Sequence, residues 1–402
     1  MASELIDQLT IETDSKIVFF ILDGLGGLQM EGHPTTELEA ANTPNMDRLV
    51  AESTCGLMIP VEPGVTPGSG PGHFALFGYD PVQANIGRGV LSAAGLEFDL
   101  TDRDVAARGN FATLDASGNV VDRRAGRIPT EENERICQKL REKVKLPDGV
   151  EFFLKTEKEH RVLFVLRGDH LGGNVDDTDP QQLGVPPREP VGHDEDSKRT
   201  AHYVNLFLQQ VREVLHDEPQ ANMILLRGFA KHRPYKSLQE RFKLRSYAIA
   251  NYPMYRGIAR LVGMEIAPVS ENLSTQIDEL ERQWPNYDFF FVHFKYTDST
   301  GEDGNFEAKV KVIEEVDQLV PRMVNLKPDV LVITGDHSTP SALRSHSWHP
   351  IPVLLWAKTA RRDRVTKFSE NDCLQGGLGT FYSQHLMSLA LAHAGRLIKF
   401  GA

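Results

Sequence analysis

Lys16-Ile17-Val18-Phe19-Phe20-Ile21-Leu22-Asp23-Gly24 is the stretch that decides the fold. Its apolar core is rich in β-branched and aromatic residues and has no polar face. It therefore reads as a strand buried on both sides, the kind found in parallel sheets covered by helices. Asp23-Gly24 stops it at once. Three later runs have the same character: Tyr287–Phe294, Asp329–Thr334 and Ile351–Trp356. Between the first two of these, Phe306, Val310, Ile313, Val316, Val320 and Met323 recur at helical spacing and predict one amphipathic helix. Thr43-Pro44 predicts a helix start, with an N-cap and proline at the first helical position. Strand alternating with helix implies an α/β core with a mainly parallel sheet flanked by helices.

The middle of the chain differs. It holds a charged segment (Arg103–Arg127), two further strand-like runs (Arg161–Leu166 and Asn222–Leu226) and a Pro/Gly-rich loop (Leu183–Gly192). This predicts a second, smaller α/β domain over residues 95–246, inserted into a core formed by 1–94 and 247–402. The 402 residues are 40% hydrophobic and 25% charged, the composition of a globular protein. No apolar run approaches the roughly 20 residues of a membrane span, and Met-Ala-Ser-Glu-Leu does not read as a signal peptide. Three scattered cysteines (Cys55, Cys137, Cys373) fit neither a disulfide framework nor a zinc knuckle, so the expected compartment is the cytoplasm. A net charge of −12 argues against nucleic-acid binding but leaves room for a small anionic substrate held by local arginines or a metal.

Four segments carry candidate chemistry. Asp23 follows the first strand, where ligands bind in open α/β sheets. The following Gly24-Leu25-Gly26-Gly27 fails the dinucleotide pattern at Gln29, and an aspartate there would repel a pyrophosphate; a metal ligand fits better. Thr66-Pro67-Gly68-Ser69-Gly70-Pro71-Gly72-His73 presents a serine among small residues, sterically open as a nucleophile, although it is not a G-x-S-x-G elbow. Asp298 and Glu302, four apart after the second strand, could face one ion if their loop curls like a helical turn. Asp336-His337 offers mixed oxygen and nitrogen ligation, and His346 and His349 follow shortly. Asp23, Ser69, Asp298, Glu302, Asp336, His337 and one of those two histidines number seven. That is enough for a two-metal site with ions roughly 3.5–4 Å apart.

Together with Asn42–Asp47, Leu76–Pro81, Ala107–Thr113, Asp177–Pro180, Thr334–Pro340 and the terminal Lys399–Ala402, these segments resemble the archaeal-type branch of the cofactor-independent phosphoglycerate mutases, within the alkaline phosphatase superfamily. The resemblance runs nearly end to end. It implies an alkaline-phosphatase-like core, Ser69 as nucleophile, one metal on Asp23, Ser69, Asp336 and His337, and another on Asp298, Glu302 and His346, with His349 as the alternative. Many relatives have histidine where this chain has Glu302, which favours harder cations, Mn²⁺ or Mg²⁺ before Co²⁺ or Zn²⁺. The implied reaction interconverts 3- and 2-phosphoglycerate through a phosphoserine, without 2,3-bisphosphoglycerate, under an inserted domain that closes over the site. Arg161, Arg227, Arg256, Arg88 and Arg108 are the expected grips for carboxylate and phosphate. A phosphatase or a homoserine kinase-like phosphotransferase would use the same metal ligands with different middle-domain contacts. A catalytically dead binding protein is disfavoured, because every ligand position is filled by a competent residue.

Overall fold

The structure is a computed structural model that describes residues 2–84 and 86–401; Ala402, which closes the C-terminal motif, lies outside them. Two compact units form, one from residues 1–85 and 235–402 and the other from 86–234. The sequence division at 94/95 and 246/247 falls nine and twelve residues later. The helix Arg88–Gly95 accounts for the first difference, because its Ala93 packs on Ala106, Leu163 and Val165 of the inserted sheet.

The first unit is built on an eight-stranded sheet in the order 379–382, 53–59, 351–357, 330–334, 17–22, 289–294, 246–249, 265–266. The three central strands, Ile17–Leu22, Phe289–Phe294 and Val330–Thr334, are buried along their whole length and run parallel. The strand Ile351–Ala357 is antiparallel to both neighbours, so the sheet is mainly and not wholly parallel. One face of the sheet (Phe20, Phe290, Val292, Leu331, Ile333) packs on Leu38, Met46, Ile277 and Ile313 of the flanking helices. On the other face, Phe77 stands edge-on to Phe291 at 5.0 Å, and Tyr255 stacks on His293 at 3.8 Å.

Two local expectations change. The single helix anticipated from Phe306 to Met323 is two, Phe306–Asp317 and Val320–Asn325. Pro321 has no N–H for the Asp317 carbonyl, which accepts instead from Asn45 Nδ2 at 3.2 Å. Thr43 does precede the helix Pro44–Val50, but its hydroxyl does not cap it. The Asp317 carboxylate does so, accepting from the N–H groups of Asn45 and Met46 at 3.1 and 2.7 Å.

The second unit is an antiparallel sheet of strands 104–114, 120–122, 150–158, 161–168 and 223–231. The helices Thr130–Lys143 and Glu195–Val214 bury Ile136, Leu140, Val204 and Phe207 against one face. No helix among the described residues is long and apolar enough to cross a membrane, and all three cysteines are free and buried.

Ile313, fully buried on its helix, is expected to cost about 2–5 kcal/mol when cut to alanine. Urea unfolding of Ile313→Ala checks this; a loss below about 1 kcal/mol would mean that the helix is not packed as described.

Candidate active site

Parallel register brings the chemistry together. Leu22 lies opposite Phe294, and Ile21 opposite Thr334, so Asp23, Lys295 and Gly335-Asp336 emerge at one edge of the sheet. Gly24 then turns with φ +65°, and a Cβ there would stand 2.9 Å from Asp298 Oδ1, so glycine is required for both reasons. The Gly24 N–H donates to Asp336 Oδ1 at 3.1 Å. Asp298 and Glu302 lie on a true helix, Tyr296–Glu302, with Asp298 buried and Glu302 exposed.

Ser69 departs from the open-loop expectation. It is the first residue of the helix Ser69–Leu76 and is only 8% exposed. A Cβ on Gly72 would lie 2.6 Å from the Asp336 carbonyl oxygen, so this glycine lets the helix approach the strand end.

Two groups of ligand atoms result. Asp23, Asp336 and His337 converge, as do Asp298, His337 and His346. His337 Nε2 is 3.2 Å from both Asp23 Oδ1 and Asp336 Oδ2, and 3.4 Å from Ser69 Oγ. Its Nδ1 instead meets Thr339 Oγ1 at 3.0 Å. Through Nε2, His337 thus faces Asp23, Asp336 and Ser69. Glu302 stands beside the second group: His346 Nε2 lies 3.5 Å from Asp298 Oδ1 and 3.9 Å from Glu302 Oε1. His346 also stacks on His337 at 3.7 Å. His349 points elsewhere, its Nδ1 3.0 Å from Ser347 Oγ.

Both Asp23 oxygens and Asp336 Oδ2 are buried, and the groups facing them are the nitrogens of His73, His293, His337 and Lys295 at 3.1–3.2 Å. Buried carboxylate oxygens are costly unless a cation meets them, and this donor set suits a divalent ion. Burial pushes the Asp23 carboxyl up, but the imidazoles of His293 and His337 and the Lys295 ammonium outweigh it and hold it well below the usual carboxylate range. Burial opposes the charge on His337, yet Asp336 and Asp23 raise its pKa to about 9.

Four further residues line this edge without having been singled out. Lys295 pairs with Asp298, lies 3.2 Å from Asp23 Oδ2 and donates to Tyr255 Oη at 3.1 Å. Tyr255 is 3.4 Å from Ser69 Oγ. His73 Nδ1 is 2.8 Å from the Ser69 carbonyl and 3.1 Å from Asp336 Oδ2, while His293 Nε2 is 3.2 Å from Asp23 Oδ2. Lys295 and His73 stood in or beside the quoted motifs and could have been found there. Nothing local marks Tyr255.

The expected arginines divide. Arg108 and Arg227 are paired across neighbouring strands of the inserted unit. Burial lowers the pKa of Arg108; the Glu157 carboxylate opposes this, and the like charges of Arg161, Arg88 and Arg227 add to the lowering. Arg88 is shifted the same way, by burial and then by Arg227. Asp177 and Asp179 stand 3.6 Å from Arg227, and Asp179 is already held by Arg123 at 2.7 Å. Arg88, Arg161 and Arg227 thus all act on Arg108, with Glu157, Asp177 and Asp179 as the counter-charges near the cluster. Arg256 is in the other unit, and its Nη1 donates to the carbonyls of Ala250 and Ala267 at 3.1 and 2.6 Å. Those bonds tie it to the backbone where a phosphate grip was expected.

A family model described as 2,3-bisphosphoglycerate-independent phosphoglycerate mutase matches residues 51–221. A Thermus thermophilus protein named as a probable enzyme of that kind is 54% identical over 98% of this chain and 98% of its own. One of the same name from Aquifex aeolicus is 49% identical over 99% of this chain and 100% of its own. Among solved structures, a Pyrococcus horikoshii protein matches with a TM-score of 0.82 at 28% identity, over 96% of this chain and 99% of its own. The cofactor-independent phosphoglycerate mutase of Thermoplasma acidophilum matches with a TM-score of 0.74 at 28% identity, over 95% of this chain and all of its own.

His337 carries its proton up to pH about 9 in the metal-free protein, against an ordinary 6.5, whereas a metal needs the neutral ring. The stability it adds is therefore full below pH 6.5 and lost as pH rises through 9. Divalent-ion affinity should rise over the same interval, and calorimetric titration with Mn²⁺ at neutral pH should show proton release as a buffer-dependent heat. Heats that do not depend on the buffer would contradict this protonation state.

Proposed function

The chain belongs to the 2,3-bisphosphoglycerate-independent phosphoglycerate mutase family, and from that premise we propose that it interconverts 3- and 2-phosphoglycerate through a phosphoserine at Ser69. What supports the reading is the placement of Ser69 Oγ 3.4 Å from His337, beside the buried carboxylates of Asp23 and Asp336, each 3.2 Å from His337 Nε2. Asp23, Ser69, Asp336 and His337 would hold one divalent cation, and Asp298, Glu302 and His346 another. Two such cations, Mn²⁺ or Mg²⁺ by the oxygen-rich donor set, would lower the Ser69 pKa and neutralise charge on the phosphoryl oxygens.

Ser69 Oγ attacks phosphorus in line, forming the O–P bond of phosphoserine as the bond to the glycerate oxygen breaks. The proton leaving Ser69 is matched by the one gained by that glycerate oxygen. The other glycerate hydroxyl then attacks the phosphoserine and Oγ departs, so the sum is an isomerisation. Tyr255, 3.4 Å from Oγ and held by Lys295, orients the hydroxyl. Arg88, Arg108, Arg161 and Arg227 would grip the carboxylate and phosphate and retain the glycerate between the two steps, because guanidinium forks match both anions. If the glycerate were lost, water would take the phosphoryl group and free phosphate would appear.

The test is a coupled assay of metal-stripped protein with 3-phosphoglycerate, adding Mn²⁺, Mg²⁺, Co²⁺ or Zn²⁺ and no 2,3-bisphosphoglycerate, with phosphate followed in parallel. Formation of 2-phosphoglycerate with little phosphate supports the mutase; phosphate alone moves the assignment to a phosphatase. Ser69→Ala should abolish turnover while leaving the fold and Mn²⁺ binding in place, and wild-type-like turnover would remove the covalent route. Arg227→Met should raise KM for phosphoglycerate by roughly tenfold or more and increase phosphate release. Glu302→His should shift the most activating ion from Mn²⁺ or Mg²⁺ towards Co²⁺ or Zn²⁺; an unchanged order of metals would take Glu302 out of the second centre.

A further inference from the structure

Behind the acidic site lies a charge that the chemistry above does not use. Lys309, on the helix Phe306–Asp317, is fully buried. Its Nζ donates to three main-chain carbonyls, those of Gly24 at 2.9 Å, Gly26 at 3.1 Å and Thr339 at 2.8 Å. A neutral amine has two N–H groups, so three carbonyl acceptors call for the ammonium. Burial lowers its pKa, and the charges of Glu37 and Glu370, then Asp298 and Asp23, oppose that shift.

The three carbonyls belong to the two loops that carry the ligands. Gly24 and Gly26 follow Asp23, and Thr339 follows Asp336-His337. Thr339 in turn donates through Oγ1 to Asp298 Oδ1 at 2.6 Å and meets His337 Nδ1, while its N–H lies 3.2 and 3.1 Å from the carbonyls of Gly24 and Gly26. Carboxylates take the N–H groups of the same loops. Glu37 accepts from Leu28 N at 3.2 Å and Ser341 N at 2.7 Å, and Glu370 accepts from Gly27 N at 2.8 Å. One ammonium and two carboxylates thus clasp the loops from opposite polarities. Asp23, Asp298 and Asp336 repel one another at low dielectric, and a clasp that joins the two loops works against their separation.

We propose that Lys309 is a positioning residue whose ammonium locks the Asp23 loop to the Asp336–Thr339 loop and thereby sets the affinity of the site for divalent cations. The proposal rests on the two-cation reading. Lys309→Met keeps the length of the stem and removes the charge and its donors. Measured by calorimetry on the full-length, metal-stripped protein, its Mn²⁺ affinity should fall roughly tenfold or more. With Mn²⁺ saturating, kcat should fall while KM for 3-phosphoglycerate stays within about twofold. Lys309→Arg should recover part of the lost affinity. Ile313→Ala, one turn further along the same helix, serves as the control: it destabilises the core but removes none of the hydrogen bonds to the two loops, and its Mn²⁺ affinity should stay near that of wild type. Lys309→Gln, which retains two N–H donors, is measured in the same way should the methionine variant not fold. A lysine variant that binds Mn²⁺ as tightly as wild type, or a loss equalled by Ile313→Ala, overturns the proposal. A wild-type protein that takes up no divalent cation overturns the two-cation reading, and the proposal with it.

Discussion

Three aspartates forced together out of water are the constraint on which the rest of the first unit depends. Asp23, Asp298 and Asp336 are almost fully buried, and two of them sit at the ends of strands whose parallel register fixes where they emerge. Like charges at this range are tolerable only with matching positive charge or donors close by. The fold supplies His73, His293, His337, His346 and Lys295, each within 4 Å of one of these carboxylates. It also brings the Gly24 N–H and the Thr339 hydroxyl to Asp336 and Asp298. The surrounding glycines follow from the same crowding: side chains at 24 and 72 would enter space already held by Asp298 and by the Asp336 backbone.

The inserted unit meets the opposite constraint. There the crowd is cationic: burial lowers the pKa of Arg88 and Arg108, the neighbouring charges of Arg161 and Arg227 add to it at Arg108, and Asp179 is engaged by Arg123. An antiparallel sheet suits this purpose, because cross-strand pairing sets Arg108 directly opposite Arg227. The chain's overall acidity of −12 gives no hint of this cluster; local density and global charge are separate quantities.

Sequence reading reached furthest where the physics is local. A strand with no polar side announces a covered parallel sheet, and the residue following it announces the binding edge; this made Asp23, Asp298, Asp336 and His337 legible. It was weakest where a residue's role comes from a partner far along the chain. Thr43 looked like a cap, but Asp317 caps that helix from 270 residues away. Ser69 was read as a sterically open serine among small residues, because Gly70, Pro71 and Gly72 are poor helix formers; the segment is instead helical and lies close against the Asp336 strand end. Arg256 was read as a phosphate grip, and its Nη1 donates to two main-chain carbonyls that no local pattern announces.

The sequence by itself determined the buried strands, the inserted unit and most of the ligand atoms, because hydrophobic period and side-chain chemistry are properties of short segments. Only the tertiary structure put His346 beside Asp298 and turned His349 to Ser347, grouped the four arginines, and brought Tyr255, Lys295 and Lys309 to this edge of the sheet. Each of those outcomes depends on distances between elements tens to hundreds of residues apart, fixed by strand register and helix packing, which no local pattern encodes.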